Sequence, residues 1–263
     1  MKEFDNFDVE QTETGIAYLS IESESAMNSL NDTMTEELRW LGTELNEDDD
    51  VRCIVLRGSD GVFCAGGNIT SFDEDSSAPA QLRRGASSIN DVVFLLKRGE
   101  TPIITGIDGP AVGAGFALGL LGDITLMHED AYLQFGYPGI GLTGDGSATY
   151  YLPHLVGLQE AKRIALLNDR IPAAEAEEIG LVTEVADADS FDDRLEELAT
   201  SLASGPTKAL GSISRQLEEA SARQLSEQLA HEAERISKAA RTEDYAEGVS
   251  AFKEKRDPEF VGY

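Results

Sequence analysis

Two glycine-rich turns constrain this chain more than anything else in it, because each closes an apolar run with the length and branching of a buried strand. The first run, Val51 to Leu56, leads into Phe63-Cys64-Ala65-Gly66-Gly67-Asn68. The second, Pro102 to Ile107, leads into Gly109-Pro110-Ala111-Val112-Gly113-Ala114-Gly115 and opens into Phe116-Ala117-Leu118-Gly119-Leu120. Small residues and glycines at a strand end let bare backbone N–H groups approach a ligand. A helix start adds N–H groups that have no partner inside the helix. Two such turns can hold one oxygen between them, which is how an oxyanion hole is built.

The rest of the pattern is α/β. Gly15 to Ile21 reads as a strand with a hairpin partner around Phe7 to Gln11. A helix follows, with Asp32 or Thr33 as its cap, Thr33 and Glu36 at capping-box spacing, and Met34, Leu38, Leu41 and Leu45 on one face. Asp73 to Ser88 is polar, contains Pro79, and reads as a loop running into a helix whose apolar part is Val92 to Leu96. Short strands at Ile103 to Ile107, Ile124 to Met127 and Tyr132 to Phe135 alternate with glycine turns and helices, which suggests repeated ββα units. Helices are expected at Leu158 to Leu167 and Ala173 to Ile179, and a strand at Val182 to Val185. Near the end, Leu225, Leu229, Ala233 and Ile236 share one face, and Tyr245, Val249 and Phe252 another, so these helices need a partner surface.

Charge excludes several function classes. Asp and Glu total 49 against 21 Lys and Arg, a formal net charge of −28 over 263 residues, which argues against nucleic acid or an anionic membrane as partner. The acids are scattered rather than gathered in a tail and read as a surface suited to high salt, where self-repulsion is screened. Cys53 and Cys64 supply neither a disulfide framework nor metal-ligand spacing, and read as buried thiols of a cytoplasmic protein. Met1 to Glu10 lacks the apolar core of a signal peptide. Pro102 to Met127 is largely apolar, but Asp108, Pro110 and Asp123 interrupt it, which argues against a membrane span.

Four motifs in order, "FCAGGN" after a strand, "DGPAVGAG" after the next, "FGYPGIGL" and "FKEKRDPEF", make the chain resemble the crotonase family of enoyl-CoA hydratases and isomerases over nearly its whole length. The resemblance implies a crotonase spiral of ββα units over 1–200 with a C-terminal helical oligomerisation region over 201–263, assembling as a homotrimer or a dimer of trimers. It also implies a CoA thioester as substrate, with no prosthetic group and no metal. The backbone N–H groups of Gly67 and Ala114 would then stabilise a thioester enolate. Ala26 would lie in the loop that contacts the cofactor, the Ala65 carbonyl would accept from the adenine, and Phe252 and Lys255 would reach adenine and phosphate from an adjacent subunit. The basic residue common before that Ala is absent, since Ser25 stands there. If helical, Phe252 and Lys255 share a face.

Where the family's hydratases carry two glutamates, this chain has Ala117 and Gly139, which can move no proton. Asp145, between Gly144 and Gly146 and just before a segment able to start a helix, is the acid left beside the pocket. Its spacing resembles that of the phenylacetate-pathway isomerases, where an Asp moves a proton, and of 4-chlorobenzoyl-CoA dehalogenase, where an Asp attacks carbon. Tyr137 lies near the pocket by the same correspondence, to orient substrate or to pack. The implied activity is double-bond isomerisation with Asp145 as the proton shuttle. The alternatives are a hydratase with a different acid, an enzyme using Asp145 as nucleophile, and a non-catalytic acyl-CoA binding subunit.

Overall fold

In the computed structural model, which describes residues 3–263, the opening hairpin pairs β1 (Phe7–Gln11) antiparallel with β2 (Ile16–Ile21). The turn residue Gly15 has φ of +83°, a conformation that costs glycine little. Helix α1 (Asp32–Glu47) buries the expected stripe of Met34, Leu38, Leu41 and Leu45. Its cap is Asn31, whose side chain accepts from Met34 N–H at 2.8 Å, rather than Asp32 or Thr33. Asn31 has extended φ/ψ and so can cap, whereas Asp32 is already helical.

Strand β3 (Cys53–Arg57) pairs parallel with β2. Helix α2 (Ala78–Lys97) starts ten residues before the end of the expected Asp73 to Ser88 loop, so only its first part is irregular. Pro79 sits in the first turn, where its missing N–H is no loss, and Leu82, Ala86, Ile89 and Val93 make one inward face. Strand β4 (Ile103–Ile107) follows as expected, then β5 (Ala111–Val112), α3 (Ala114–Gly119), β6 (Ile124–His128) and β7 (Tyr132–Gln134). Helix α4 (Ala148–Leu167) starts earlier than expected, at the N-terminal side of a break at Gly157. It is followed by β8 (Ile171–Pro172), α5 (Ala173–Glu178), β9 (Glu184–Ala186) and α6 (Phe191–Ala203). The chain ends in α7 (Thr207–Ala220), α8 (Leu225–Ala239) and α9 (Glu243–Glu254).

The main sheet has the order β1-β2-β3-β4-β6-β9, parallel throughout except at β1, and the smaller sheet has the order β5-β7-β8. Sequence and topology together explain the spiral. After each of β3, β4 and β6 the chain leaves the main sheet, adds a short extended piece to the second layer, and returns through a helix. Those pieces align in register: Cys64 bridges Ala111, Ala111 pairs Leu133, and Leu133 pairs Ile171. The turn after each piece therefore stacks on the one before it. Helix α6 covers the face of the main sheet built from residues such as Val55, Ile104 and Leu126.

The late apolar stripes remain uncovered in the single chain. Leu225, Leu229 and Ile236 on α8 are 75%, 55% and 73% exposed, and Phe252 on α9 is 86% exposed. Helix α9 ends at Glu254, and Lys255 adopts a left-handed cap conformation, so Phe252 and Lys255 do not share a helical face as expected. Among the described residues no helix is long and apolar enough to cross a membrane.

Candidate active site

Three stacked turns build the site, and each begins with a glycine at positive φ: Gly66 at +89°, Gly113 at +59° and Gly136 at +83°. At the first and third of these points a side chain would also collide with the neighbouring turn. A Cβ on Gly66 would stand 2.7 Å from the Val112 carbonyl oxygen, and one on Gly136 would stand 2.8 Å from the Gly113 nitrogen. At Gly66 and Gly136 glycine is thus required twice over, by conformation and by the close approach of one backbone to the next, and at Gly113 by conformation.

The first two turns are clamped together by a short parallel bridge. Cys64 N–H donates to the Pro110 carbonyl at 3.0 Å, and Val112 N–H donates to the Cys64 carbonyl at 2.9 Å. A second bridge straps the Ala26 loop alongside, with Leu30 N–H donating to Gly66 at 2.7 Å and Asn68 N–H to Leu30 at 3.0 Å. Ala65 N–H donates to Met27 at 3.0 Å, which brings Ala26 and Ala65 to the same edge. Among the described residues, neither Gly67 N–H nor Ala114 N–H donates to another protein group, although both line one cavity of about 310 Å³. Two free donors on adjacent, mutually braced turns are what an anionic oxygen requires.

The third turn contributes side chains instead. Gly136 N–H donates to Asn168 Oδ1 at 2.6 Å, which fixes the turn, and Tyr137 then points its ring into the wall of the cavity. Its phenol donates to Asp145 Oδ1 at 2.7 Å. Burial, then the negative charge of Asp145, hold the phenol above its ordinary pKa, so it stays a donor. Asp145 lies just ahead of α4, and its carbonyl accepts from Ala148 N–H at 3.1 Å. Among the described residues lining the cavity, Asp145 is the one carboxylate and none is a histidine. The remaining wall is apolar, from Ile69 and Phe72 after the first turn, Leu82 and Ala86 on α2, and Ile140 and Leu142.

Not every expected pocket residue reaches the cavity. Ala117 is buried on α3 with its Cβ turned toward the loop that carries Asp145, since a Cβ on Gly146 would meet it at 3.1 Å. That loop occupies the space into which a longer side chain at 117 would extend. Gly139 is exposed in the 3-10 turn Tyr137–Ile140 and does not line the cavity. Phe252 and Lys255 do not line it either. Sequence reasoning missed Phe72, which would touch a Cβ on Gly67 at 3.1 Å, and Asn90, whose Oδ1 accepts from Gly146 N–H at 3.1 Å. Neither leaves a sequence signal, because one is an aromatic in a polar loop and the other a polar residue on an amphipathic helix.

Residues 11–262 match the enoyl-CoA hydratase/isomerase family. The chain belongs to that family. It is 34% identical over 258 residues to 1,2-epoxyphenylacetyl-CoA isomerase of Escherichia coli, covering 97% of this chain and 98% of that one. It is 30% identical to 4-chlorobenzoyl coenzyme A dehalogenase-1 of an Arthrobacter species, covering 94% and 90%. Among solved structures it is similar to the enoyl-CoA hydratase of Bacillus anthracis, with a TM-score of 0.91, 29% identity, and coverage of 98% of this chain and 100% of that one. The protein is therefore a crotonase-superfamily enzyme, and its spiral is the family's fold.

Proposed function

We propose that the protein is an enoyl-CoA double-bond isomerase in which Asp145 moves the proton. Asp145 takes a proton from one carbon of the acyl chain, the bonding electrons pass to the thioester oxygen, and the Gly67 and Ala114 N–H groups stabilise the resulting enolate. Each such donor is worth about 3 kcal/mol of barrier. The same carboxyl returns the proton two carbons along, which leaves Asp145 as it began and shifts the double bond. The observation that carries this reading is the cavity wall itself, with one carboxylate, bonded to Tyr137, and no acid at Ala117 or Gly139. A relative named as an isomerase, at 34% identity, supports the same class of chemistry.

The test is turnover of 2-enoyl-, 3-enoyl- and aryl-CoA thioesters in deuterated buffer. Asp145→Asn is expected to lose double-bond migration by about 10²- to 10⁴-fold while still binding the thioester. A relative named as a dehalogenase favours a second reading, with Asp145 attacking carbon. An acyl- or aryl-Asp145 adduct by mass spectrometry would establish that reading and displace the first. Added water would point to a hydratase, and binding without turnover to a non-catalytic subunit.

We also propose that 1–200 is the core carrying the site and that 201–263 mediates assembly into a trimer or a dimer of trimers. The exposed apolar residues of α8 and α9 support this. Phe252 and Lys255 would then serve a neighbouring subunit's CoA, while Ala26 and the Ala65 carbonyl serve their own; that carbonyl accepts nothing from the described residues. The protein is read as cytoplasmic and halophilic. With a net charge of −28, its melting temperature is expected to rise as KCl goes from about 0.1 M to several molar, through screening. A flat or falling curve would reject the high-salt reading.

A further inference from the structure

We infer that Tyr137 is a positioning residue, which holds Asp145 by one carboxylate oxygen so that the other faces the cavity as the proton acceptor. The kinetic consequence of this inference rests on the isomerase reading above; the contact does not. Tyr137 Oη donates to Asp145 Oδ1 at 2.7 Å, and Asp145 Oδ2 has no protein partner among the described residues. A carboxylate anchored at one oxygen loses its free rotation and presents its second oxygen in one direction.

The anchor is itself held from three sides. The Tyr137 ring packs on Phe135 at 5.0 Å between centroids, and Phe135 packs edge-on against Phe116 of α3 at 5.9 Å. Behind the turn, Asn168 accepts from Gly136 N–H and its carbonyl accepts from the Gln134 amide at 2.8 Å. On the far side of Asp145, Asn90 of α2 accepts from Gly146 N–H. A buried side chain locked by aromatic packing and carrying one polar atom aimed at one acid is organised for that acid rather than for bulk packing. A Phe at 137 would fill the same space.

The groups facing the pair from other elements carry no competing charge. Asn90 of α2 and Ala117 of α3 pack against Gly146 beside it, both neutral. Besides Asp145, the titratable group that acts on the phenol is Cys64 of the first turn, a thiol that burial pushes up to about 12. The phenol likewise keeps its proton, mainly because it is buried. The phenol therefore remains available as a donor to Asp145.

The experiment uses full-length Tyr137→Phe with carbon-13-labelled aspartate and isotope-edited infrared spectroscopy, the Asp145 band being defined by the difference between wild type and Asp145→Asn. The expected result is a shifted carboxylate band, together with a kcat lowered about 10- to 100-fold and KM changed by less than about threefold. An unchanged band with an unchanged kcat would overturn the inference. Fluorotyrosine at 137, with the same shape and a more acidic phenol, should move the band the opposite way, and a band identical to wild type would again overturn it. If the band shifts but wild type moves no double bond, the pairing stands and the isomerase reading falls. If migration continues in Tyr137→Phe at the wild-type kcat, the isomerase stands and the positioning role falls.

Discussion

The first two turns of the spiral and the third are built on one plan and used in different ways. All three follow a short extended piece of the second layer, and all three open on a positive-φ glycine next to the turn before or after it. Yet Gly67 and Ala114 offer backbone N–H groups, whereas the third turn offers the Tyr137 side chain and leads on to Asp145. Backbone donors depend on chain path alone. A side-chain acid depends on residue identity, rotamer and neighbours, so it can move from α3 to the loop before α4 without disturbing the donors. In this chain Gly146 packs against Ala117, and the loop carrying the acid fills the room that an acid at 117 would need.

The comparison is broken most sharply at Gly66. Gly66→Ala places a Cβ at positive φ and 2.7 Å from the Val112 carbonyl, so the first donor must shift. Turnover is expected to fall about 10²- to 10³-fold, the cost of one lost donor, with weaker thermal stability measured alongside. Unaltered kinetics would mean that the first turn is only a strand end.

A smaller effect sharpens the third turn. Ala117→Glu, which places a family glutamate on α3, forces a long acid against Gly146, and should cost about 1–3 kcal/mol in chemical denaturation without conferring hydration. Hydratase activity in that variant would show that the Asp145 loop yields easily and that the two acid positions are not mutually exclusive.

The smallest effect compares protons held by the two halves. Cys64 in the first turn is pushed from an ordinary 9.0 up to about 12 by burial, and Tyr137 in the third is raised above 10.0 by burial and by Asp145. The unfolded chain releases these protons at lower pH than the native one does. The stability they contribute is therefore complete below about pH 9 and is lost as pH climbs toward 12 and beyond, readable in denaturation curves at successive pH values. Asp145→Asn removes the second cause at Tyr137, so its tyrosinate absorbance should develop at a lower pH than in wild type. No change would separate the pair.

Much of the fold was legible because periodicity and glycine report backbone geometry directly. The β1–β2 hairpin, the α1 stripe, β4 and the two donor turns all follow from residues whose local preference and burial agree. Where local signals were weak the boundaries slipped. The polar Asp73 to Ser88 segment hides the first half of α2, because only Leu82 and Ala86 mark its inner face, and Lys255 ends α9 by a left-handed conformation that its sequence does not announce. The ββα alternation could be read, but its closure into a spiral came from the resemblance, since propensity does not distinguish it from a doubly wound sheet.

By itself, then, the sequence determined most of the strands and the two glycine-rich turns, while the family resemblance singled out Ala117, Gly139 and Asp145. Tertiary structure alone decided that Cys64, Ala111 and Leu133 lie in register, that Tyr137 bonds Asp145, and that Asn90 and Phe72 belong to the site. The physical reason is range. A turn's conformation is set by its own few residues, while a hydrogen bond between side chains on separate elements depends on how every intervening strand and helix packs.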